Sequence, residues 1–418
     1  KAKRGLRPGR KPDAHAESHT ALLKGIAVKL WEKGYALDKE AGAFTAAKDY
    51  LYDQKLIEYD CIASAGHAKM LQKMNYLTKK ECKAICAELK KIIRLEKKGK
   101  FKLTQSDEDC HTKIESHLTK KLGKTGKKIH TLRSRNDQVM AALNLYSKAK
   151  LGEILSEITA LQKAMKKAGT NNFPMPGYTH MQRAMPSSTK MWFGSFIEML
   201  KKDSEAIGLA IEFNNENPLG SGAGYGFPFK VKNSVSTKEL GFAATHANAL
   251  AVQNFRAKKE LFTVHALLEA MLTLNKFASD LMLFTTSEFG FFGLPKELCT
   301  GSSIMPQKKN YDVLEIMRSN SGVVFADYSK IFAVSNNLPS GYNRDVQHTK
   351  AALMDSIEIT IASIKMAKKI AENLVSNPEK MKEACTPELY AAEEALRLVS
   401  KGEAFRDAYR KTAKKFAE

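Results

Sequence analysis

Residues 258–288, which read KKELFTVHALLEAMLTLNKFASDLMLFTTSE, form the stretch that decides the fold class. No proline interrupts them, and their apolar residues recur at the spacing of one helical face. These seam residues are Leu267, Met271, Leu274, Ala278 and Leu281. The pattern predicts one long helix packed along one side. Because so long an apolar face exceeds what a small single subunit needs, several chains are expected to bundle together.

Other proline-free stretches lie on both sides of this one. They cover residues 139–165, 187–217 and 307–338, and a further stretch runs to about residue 375. Polar loops rich in glycine and proline separate them, and the alternating pattern typical of strands is almost absent. The sequence therefore predicts an all-α fold built on a central bundle of long helices.

The same loops divide the chain into an elongated subunit with three predicted domains. Residues 1–28 form a basic N-terminal arm, which we exclude from the fold prediction. Residues 29–130 are predicted to form an N-terminal helical domain, and residues 131–375 the central bundle. Residues 376–418 are predicted to form a small C-terminal helical domain.

Composition narrows the class of protein. The chain has 418 residues, 43% of them hydrophobic, and a formal net charge of +22. Its lysines are scattered along helical faces without an aromatic-interleaved RNA motif, so a solvated basic surface is favoured over nucleic-acid binding. No apolar run of about 18 uncharged residues occurs, which predicts no membrane span. Six scattered cysteines lack zinc-site spacing, which predicts no metal and a reducing, cytoplasmic compartment.

Residues 301–310, GSSIMPQKKN, combine small residues, a proline and two lysines ahead of a predicted helix. Gly301 permits unusual backbone angles, and the N–H groups of Ser302 and Ser303 could hold an anion. Lys308 adds positive charge at the same place. The composition predicts a mobile anion-binding loop whose serine acts as a nucleophile or a base. An ordinary polar turn before a helix is the alternative.

Three more polar clusters mark the ends of predicted helices. Residues 104–111, TQSDEDCH, are typical of a capped helix start with acidic residues in its first turn. Residues 130–138, HTLRSRNDQ, open a long helix, and arginines there oppose its dipole, which favours a role in binding carboxylates. Residues 177–183, GYTHMQR, are predicted to be a turn leading into a helix. Together the clusters predict one site assembled from distant segments.

With these motifs in this order, the sequence resembles the fumarase/aspartase superfamily from about residue 29 to residue 418. Residues 307–310, QKKN, are similar to the argininosuccinate lyase family within it. The resemblance implies an all-α homotetramer with a central twenty-helix core and active sites each shared between three subunits. It implies reversible cleavage of argininosuccinate to L-arginine and fumarate, with no metal or organic cofactor.

The resemblance also implies roles for individual residues. Ser302 matches the base that removes the β-proton, and His180 matches the group that transfers a proton at the leaving guanidinium, although base and acid could be exchanged within this pair. Lys308 matches a group that stabilises the carbanion, as does Asn310, and Glu315 matches the carboxylate that orients His180. The residues implied in substrate binding are His111, Arg133, Arg135, Asn136, Thr179, Asn310, Tyr342, Gln347 and Lys350.

Several alternatives remain at this point. A related lyase acting on adenylosuccinate or aspartate, a catalytically inactive crystallin-like homologue and a nucleic-acid binder are the competing hypotheses. One departure from the family also bears on the site. Asp49 lies near the position where the family has a substrate-binding serine, and an aspartate there is expected to repel a substrate carboxylate.

Overall fold

A computed structural model describes residues 38–416, and helices dominate it, so the predicted all-α class is confirmed. The predicted arm, residues 1–28, lies outside the described residues. The chain divides into two compact units. Unit 1 ends its first segment at Lys148 and also contains Phe213–Lys258 and Ser335–Ala351. Unit 2 contains Ala149–Glu212, Lys259–Val334 and the residues from Ala352 onward. The division into three domains stays a prediction.

The helices of residues 38–416 are, in chain order, α1 (Lys39–Ala46), α2 (Asp49–Asp53), α3 (Ile57–Lys73), α4 (Lys79–Lys97), α5 (Cys110–Leu122), α6 (Lys124–Lys127), α7 (Arg135–Ala168), α8 (Thr189–Phe213), α9 (Asn233–Leu240), α10 (Ala249–Asn254), α11 (Lys258–Phe284), α12 (Asp312–Ser335), α13 (Thr349–Asn373), α14 (Pro378–Glu383), α15 (Ala391–Val399) and α16 (Phe405–Phe416). The strands are β1 (Pro174–Thr179), β2 (Gln182–Ser188), β3 (Glu216–Asn217), β4 (Ala244–Thr245), β5 (Phe292–Gly293) and β6 (Val375–Ser376). They form three two-stranded pairs, of which only β3–β4 is parallel.

The long helices of the structure lie close to the stretches that helical periodicity predicted. α11 begins at the predicted residue, and all five of its predicted seam residues are fully buried. α12 begins at Asp312 rather than at residue 307, because Thr300 and Asn310 pair through two backbone hydrogen bonds of 3.0 and 2.9 Å. In the described part of the chain, none of the helices has both the length and the apolar character that a bilayer crossing requires.

The predicted turn and helix at residues 177–183 is instead an antiparallel hairpin of β1 and β2. Prolines at 174, 176 and 186 hold the residues before them in extended conformations, which favours strands over a helix. His180 and Met181 form the two-residue connection with φ of 50° and 60°. Two positive φ angles are typical of the type I′ turns that match strand twist. The structure thus corrects the helical prediction and places His180 at a hairpin tip.

The acidic cluster before α5 also differs from its predicted form. Asp107 ends a short 3₁₀ helix that Thr104 caps, and Glu108 follows with a φ of 68°. Asp109 is the N-cap of α5, where its Oδ1 accepts the Thr112 N–H at 2.8 Å. The three acidic side chains therefore precede α5 instead of filling its first turn, and His111 is the second residue of the helix.

In unit 2, the indole of Trp192 joins α8 to α11. Its ring stacks on Phe277 and Phe292 at centroid distances of 5.6 and 5.3 Å, and its Nε1 donates to Asp280 Oδ2 at 2.9 Å. Aromatic stacking supplies buried area and orientation together. This packing fixes the base from which the β1–β2 hairpin extends, since α8 follows β2 directly.

Candidate active site

A pocket in unit 1 contains six of the nine predicted substrate-binding residues. They are His111, Arg135, Asn136, Tyr342, Gln347 and Lys350. The walls come from α2, from the first turns of α5 and α7, and from residues 342–350 around the start of α13. Segments that are remote in sequence therefore converge on one pocket, and the binding roles of these residues stay predictions.

Lys350 is buried at one side of the pocket between two aspartates of α2. Its Nζ donates to Asp49 Oδ2 at 2.8 Å and to Asp53 Oδ1. Burial opposes the charge, but Asp53 and Asp49 outweigh it and raise the pKa of Lys350. Burial raises the pKa of Asp49, whereas Lys350 and His111 outweigh burial and lower the pKa of Asp53. The single charge of Lys350 is thus shared by two carboxylates of the chain itself.

Arg135 is likewise paired within the chain. Its Nε lies 3.0 Å from Asp109 Oδ2, its Nη1 lies 3.5 Å from Glu108 Oε1, and its Nη2 donates to Thr112 Oγ1 at 3.2 Å. The sequence indicated that this arginine binds carboxylates, and here those carboxylates belong to the loop before α5. Glu108 keeps its other oxygen, Oε2, buried without a hydrogen-bond partner in residues 38–416.

A second layer of polar groups lies beneath the pocket. His111 Nδ1 lies 3.1 Å from Asp60 Oδ1, and Gln138 Nε2 donates to the same carboxylate at 2.8 Å. Burial lowers the pKa of His111, but Asp60, Asp109 and Asp53 outweigh it and raise that pKa, which favours the protonated ring. Arg133 is buried and donates to Ser64 Oγ at 2.7 Å. The structure places Arg133 in this supporting layer, and its contact with substrate stays a prediction.

Asp53, Cys110 and His111 offer potential metal ligands within 4.8 Å of one another. Asp53 Oδ1 already accepts from Lys350, its Oδ2 accepts the Cys110 N–H at 2.9 Å, and His111 faces Asp60. Burial raises the pKa of the Cys110 thiol well above its usual value, whereas a metal ligand must be a thiolate. The donor set therefore fits a hydrogen-bond network better than a metal centre.

Asp137 fixes the start of α7 against a loop of residues 218–226, PLGSGAGYG, which is rich in glycine. Its Oδ2 accepts the N–H groups of Gly220 and Gly222 at 3.1 and 2.9 Å, and its Oδ1 accepts the Ser134 N–H at 3.0 Å. Gly220 has a φ of 94°, and a Cβ there would lie 2.3 Å from Asn233 Oδ1. Burial raises the pKa of Asp137 to about 6. The loop acts here as a support for Arg135 and Asn136 and holds no nucleotide-binding motif.

The catalytic candidates belong to unit 2. His180 and Thr179 are exposed at the tip of the β1–β2 hairpin, and the positive φ of His180 is a conformation that residues other than glycine seldom adopt. Such outliers are often found at functional positions. A cavity beside the tip is lined by Gln182 and Arg183 among other residues. Glu315 is exposed in the first turn of α12.

The loop of residues 301–310 directs backbone donors at the predicted base. Ser302 Oγ accepts the N–H groups of Ile304 and Met305 at 3.3 and 3.1 Å. Asn310 Nδ2 donates to the Gly301 carbonyl at 3.2 Å, and Lys308 is exposed on the same loop. The donors therefore stabilise charge on the serine oxygen, whereas the sequence had suggested that the N–H groups of Ser302 and Ser303 hold an external anion.

Sequence reasoning missed two arginines that line the unit 1 pocket. Arg344 lies between Tyr342 and Gln347, which were already predicted to bind substrate, so its position offered a signal. Its Nη2 donates to the Thr45 carbonyl at 3.0 Å, as does Gln347 Nε2. Arg256 follows α10, where no motif marked it. Only the tertiary structure shows that Arg256 faces the same pocket.

The fold and the pocket agree with comparisons to known proteins. A family model described as Lyase matches residues 33–326, so the chain is a member of that class of lyases. A protein of Thermotoga neapolitana named argininosuccinate lyase is 42% identical over 392 residues, which is 93% of this chain and 98% of that protein. One of the same name from Phocaeicola vulgatus is 39% identical over 92% of this chain and 87% of its own length. The chain therefore belongs to the argininosuccinate lyase family.

Solved structures support the fold alone. The structure titled EDDS lyase in complex with formate has a TM-score of 0.76 and 21% identity, covering 91% of this chain and 76% of that one. The structure titled fumarate lyase:delta crystallin from Brucella melitensis has a TM-score of 0.72 and 18% identity, covering 87% of this chain and 85% of that one. Both are helical relatives whose titles place them among lyases or lyase-like proteins.

His67, a buried histidine of α3, provides a test of the described fold. Its buried Nε2 donates to the Thr131 carbonyl at 2.9 Å, and burial lowers the pKa of His67 to about 3. Below about pH 6.5 this histidine is protonated in the unfolded chain but stays neutral in the folded chain. The free energy of unfolding therefore decreases as the pH falls. We expect the free energy of unfolding of the wild type, relative to His67→Gln, to drop by about 2 kcal/mol from pH 7.5 to 5. Urea titrations at both pH values measure this difference, and a constant difference would contradict the assignment.

Proposed function

We propose that this chain is an argininosuccinate lyase that cleaves argininosuccinate to L-arginine and fumarate by β-elimination, in the cytoplasm and without a metal or organic cofactor. The observation that carries this proposal is the pair of N–H groups that converge on Ser302 Oγ in a loop that also bears Lys308. A serine is a weak base, and it requires this stabilisation of its oxyanion to remove a proton from carbon. Family membership supports the choice of substrate.

The reaction follows from the groups present. Ser302 removes the proton from the carbon next to a carboxylate of the succinyl part, and the electron pair moves onto that carboxylate. Lys308 and Asn310 stabilise the resulting dianion, which lowers the barrier because the added charge exists only after deprotonation. The C–N bond then breaks as the carbanion electrons form the fumarate double bond. His180, oriented by Glu315, supplies the proton that the departing guanidino nitrogen takes up.

We further propose a homotetramer in which three subunits contribute to each active site around a twenty-helix core. α12 supports this proposal, because Ile316 and Val323 are exposed seven residues apart, as are Phe325 and Phe332. Each of these four side chains is at least 45% exposed, although apolar stripes at heptad spacing are normally buried against another helix.

The tetramer has a direct test. Sedimentation equilibrium is expected to give about four times the subunit mass of 46.5 kDa. Phe325→Asp combined with Phe332→Asp should shift the population to smaller species, since charged groups at an apolar interface are costly to bury. Asn171→Asp adds a charge at an exposed loop position and serves as the control. A tetramer that survives the double substitution would exclude α12 from the interface.

Ser302 has a matched neighbour that makes its role testable. We expect Ser302→Ala to reduce kcat for argininosuccinate by at least about 100-fold, the scale of one proton-transfer group, with little change in KM. Ser303→Ala removes the adjacent, exposed hydroxyl and should retain most of the activity. Fumarate release followed by ultraviolet absorbance measures both. Near-normal turnover of Ser302→Ala would rule out this serine as the base.

The fumarate assay with other substrates, together with a nucleic-acid retention assay, separates the alternative functions. Adenylosuccinate and aspartate tested in place of argininosuccinate identify a related lyase, which residues 307–310 do not favour. A folded tetramer that releases no fumarate from any of the three would support an inactive crystallin-like homologue. Retention of RNA or DNA at low salt would support nucleic-acid binding driven by the charge of +22, and loss of retention as salt rises is its signature.

A further inference from the structure

The loop that carries Ser302 is closed at its base by a short backbone bridge. Thr300 and Asn310 exchange two backbone hydrogen bonds, with N···O distances of 3.0 and 2.9 Å. Two residues that exchange both hydrogen bonds in this antiparallel way have Cα atoms about 5.5 Å apart. The two ends of the loop are therefore held together, and residues 301–309 lie between them.

The side chain of Thr300 fastens this base to α12. Its Oγ1 donates to Asp312 Oδ2 at 2.6 Å, a length typical of a hydroxyl bound to a carboxylate. Asp312 is the first residue of α12, and the helix dipole favours a carboxylate in the first turn. Threonine suits this position, because its branched Cβ restricts rotation about χ1 and so keeps the hydroxyl aimed in one direction.

Two groups of this loop that the proposed reaction uses are placed relative to the base. Asn310 is itself one half of the bridge, and its Nδ2 donates to the Gly301 carbonyl at 3.2 Å. Ser302 follows Gly301, and its Oγ accepts the N–H groups of Ile304 and Met305. A shift of the base would therefore move the serine oxygen and its two donors relative to the amide of Asn310.

We propose that Thr300 is a positioning residue for the reaction, whose hydroxyl holds the base of the loop against Asp312 and so keeps Ser302 aligned with Asn310. The effect passes through the backbone, since the Thr300 hydroxyl binds Asp312 and not Ser302. The inference rests on the proposed function, because the alignment matters for a reaction that uses both side chains. A displacement of about 1 Å in such a group can lower a rate about 100-fold.

Two substitutions at Thr300 separate the hydroxyl from the shape of the side chain. Thr300→Val keeps the branched Cβ but removes the hydroxyl. It should lower kcat for argininosuccinate at least about tenfold, with less than about threefold change in KM. Thr300→Ser keeps the hydroxyl and should retain kcat within about threefold of the wild type. Unchanged kcat in Thr300→Val, or an equal loss in both variants, would overturn the proposal.

Thr159 provides a matched control. It is an exposed threonine of α7, as Thr300 is exposed beside the loop, and its Oγ1 donates to the Leu155 carbonyl at 2.9 Å. Thr159→Val removes one hydroxyl and one hydrogen bond, and we expect kcat and KM to stay within about twofold of the wild type. A loss of kcat as large as that of Thr300→Val would contradict the positioning role, since it would follow from removing any exposed hydroxyl.

A double-mutant cycle tests whether Thr300 acts through Asp312. Asp312→Ala removes the acceptor of the Thr300 hydroxyl and should also lower kcat. If the two side chains act through their shared hydrogen bond, the double variant should lose about as much kcat as the more severe single variant. Losses that multiply in the double variant would show two independent effects and would contradict this assignment.

Amide hydrogen exchange tests the alignment without turnover. The N–H groups of Ile304 and Met305 are protected from exchange while they bind Ser302 Oγ. Thr300→Val should speed exchange within residues 301–310 at least about fivefold, while Tm stays within about 2 °C of the wild type. Unchanged exchange would contradict the proposal, and so would a larger fall in Tm, which would indicate a role in overall stability.

The two kinds of measurement separate this inference from the proposed function. If the wild type fails to cleave argininosuccinate, the proposed function fails. The exchange rates of residues 301–310 still decide whether the Thr300 hydroxyl holds the loop, because they need no substrate. Normal cleavage by the wild type with unchanged exchange and unchanged kcat in Thr300→Val would leave the function standing and reject the positioning role.

Discussion

The ammonium group of Lys350 is the contact on which the described pocket depends. It joins the start of α13 to α2, which lies about 300 residues earlier in the chain. The second oxygen of Asp53 accepts the first N–H of α5, so the same cluster also positions His111. Removing one partner of a buried ion pair usually costs about 3–5 kcal/mol, because the other charge is left without compensation. Three remote segments are therefore held in one arrangement before any ligand binds.

This constraint has a consequence for recognition. Lys350 is paired with two carboxylates of the chain itself, and Arg135 is paired in a similar way with Asp109 and Glu108, so a carboxylate ligand of either cation has to compete with these partners. Asp49 was expected to repel a substrate carboxylate because the residue was considered alone. In the structure it neutralises a neighbour instead.

The sequence predicted those parts of the fold that depend on local periodicity. The seam of α11 follows from apolar residues three or four apart, all five of which are buried. The β1–β2 hairpin was missed because its strands contain three prolines and a glycine, which interrupt any alternating pattern. The short strands β3 to β6 span only two residues each, too few to leave a pattern.

Site prediction reached a different limit. Six of the residues predicted to bind substrate line one pocket, because they lie at segment ends that the fold brings together. Arg256 left no signal, since an arginine after a short helix is ordinary in sequence and becomes unusual only when its burial and missing partner are known. Whether a charged side chain forms an ion pair depends on which residues lie next to it in the folded structure. Motifs can therefore nominate charged residues, but they cannot show which of them remain free for a ligand.

The charge of the whole chain and the charge of the pocket act on different steps of binding. A net charge of +22 attracts anionic molecules over distances comparable to the Debye length. This attraction weakens as the salt concentration rises. The pocket has no comparable excess of charge, since four carboxylates, Asp49, Asp53, Glu108 and Asp109, line it together with His111 and four arginine or lysine side chains, Arg135, Arg256, Arg344 and Lys350. Long-range attraction therefore cannot distinguish one dicarboxylate from another. Discrimination has to come from desolvated groups at contact distance, where an unmatched charge is costly.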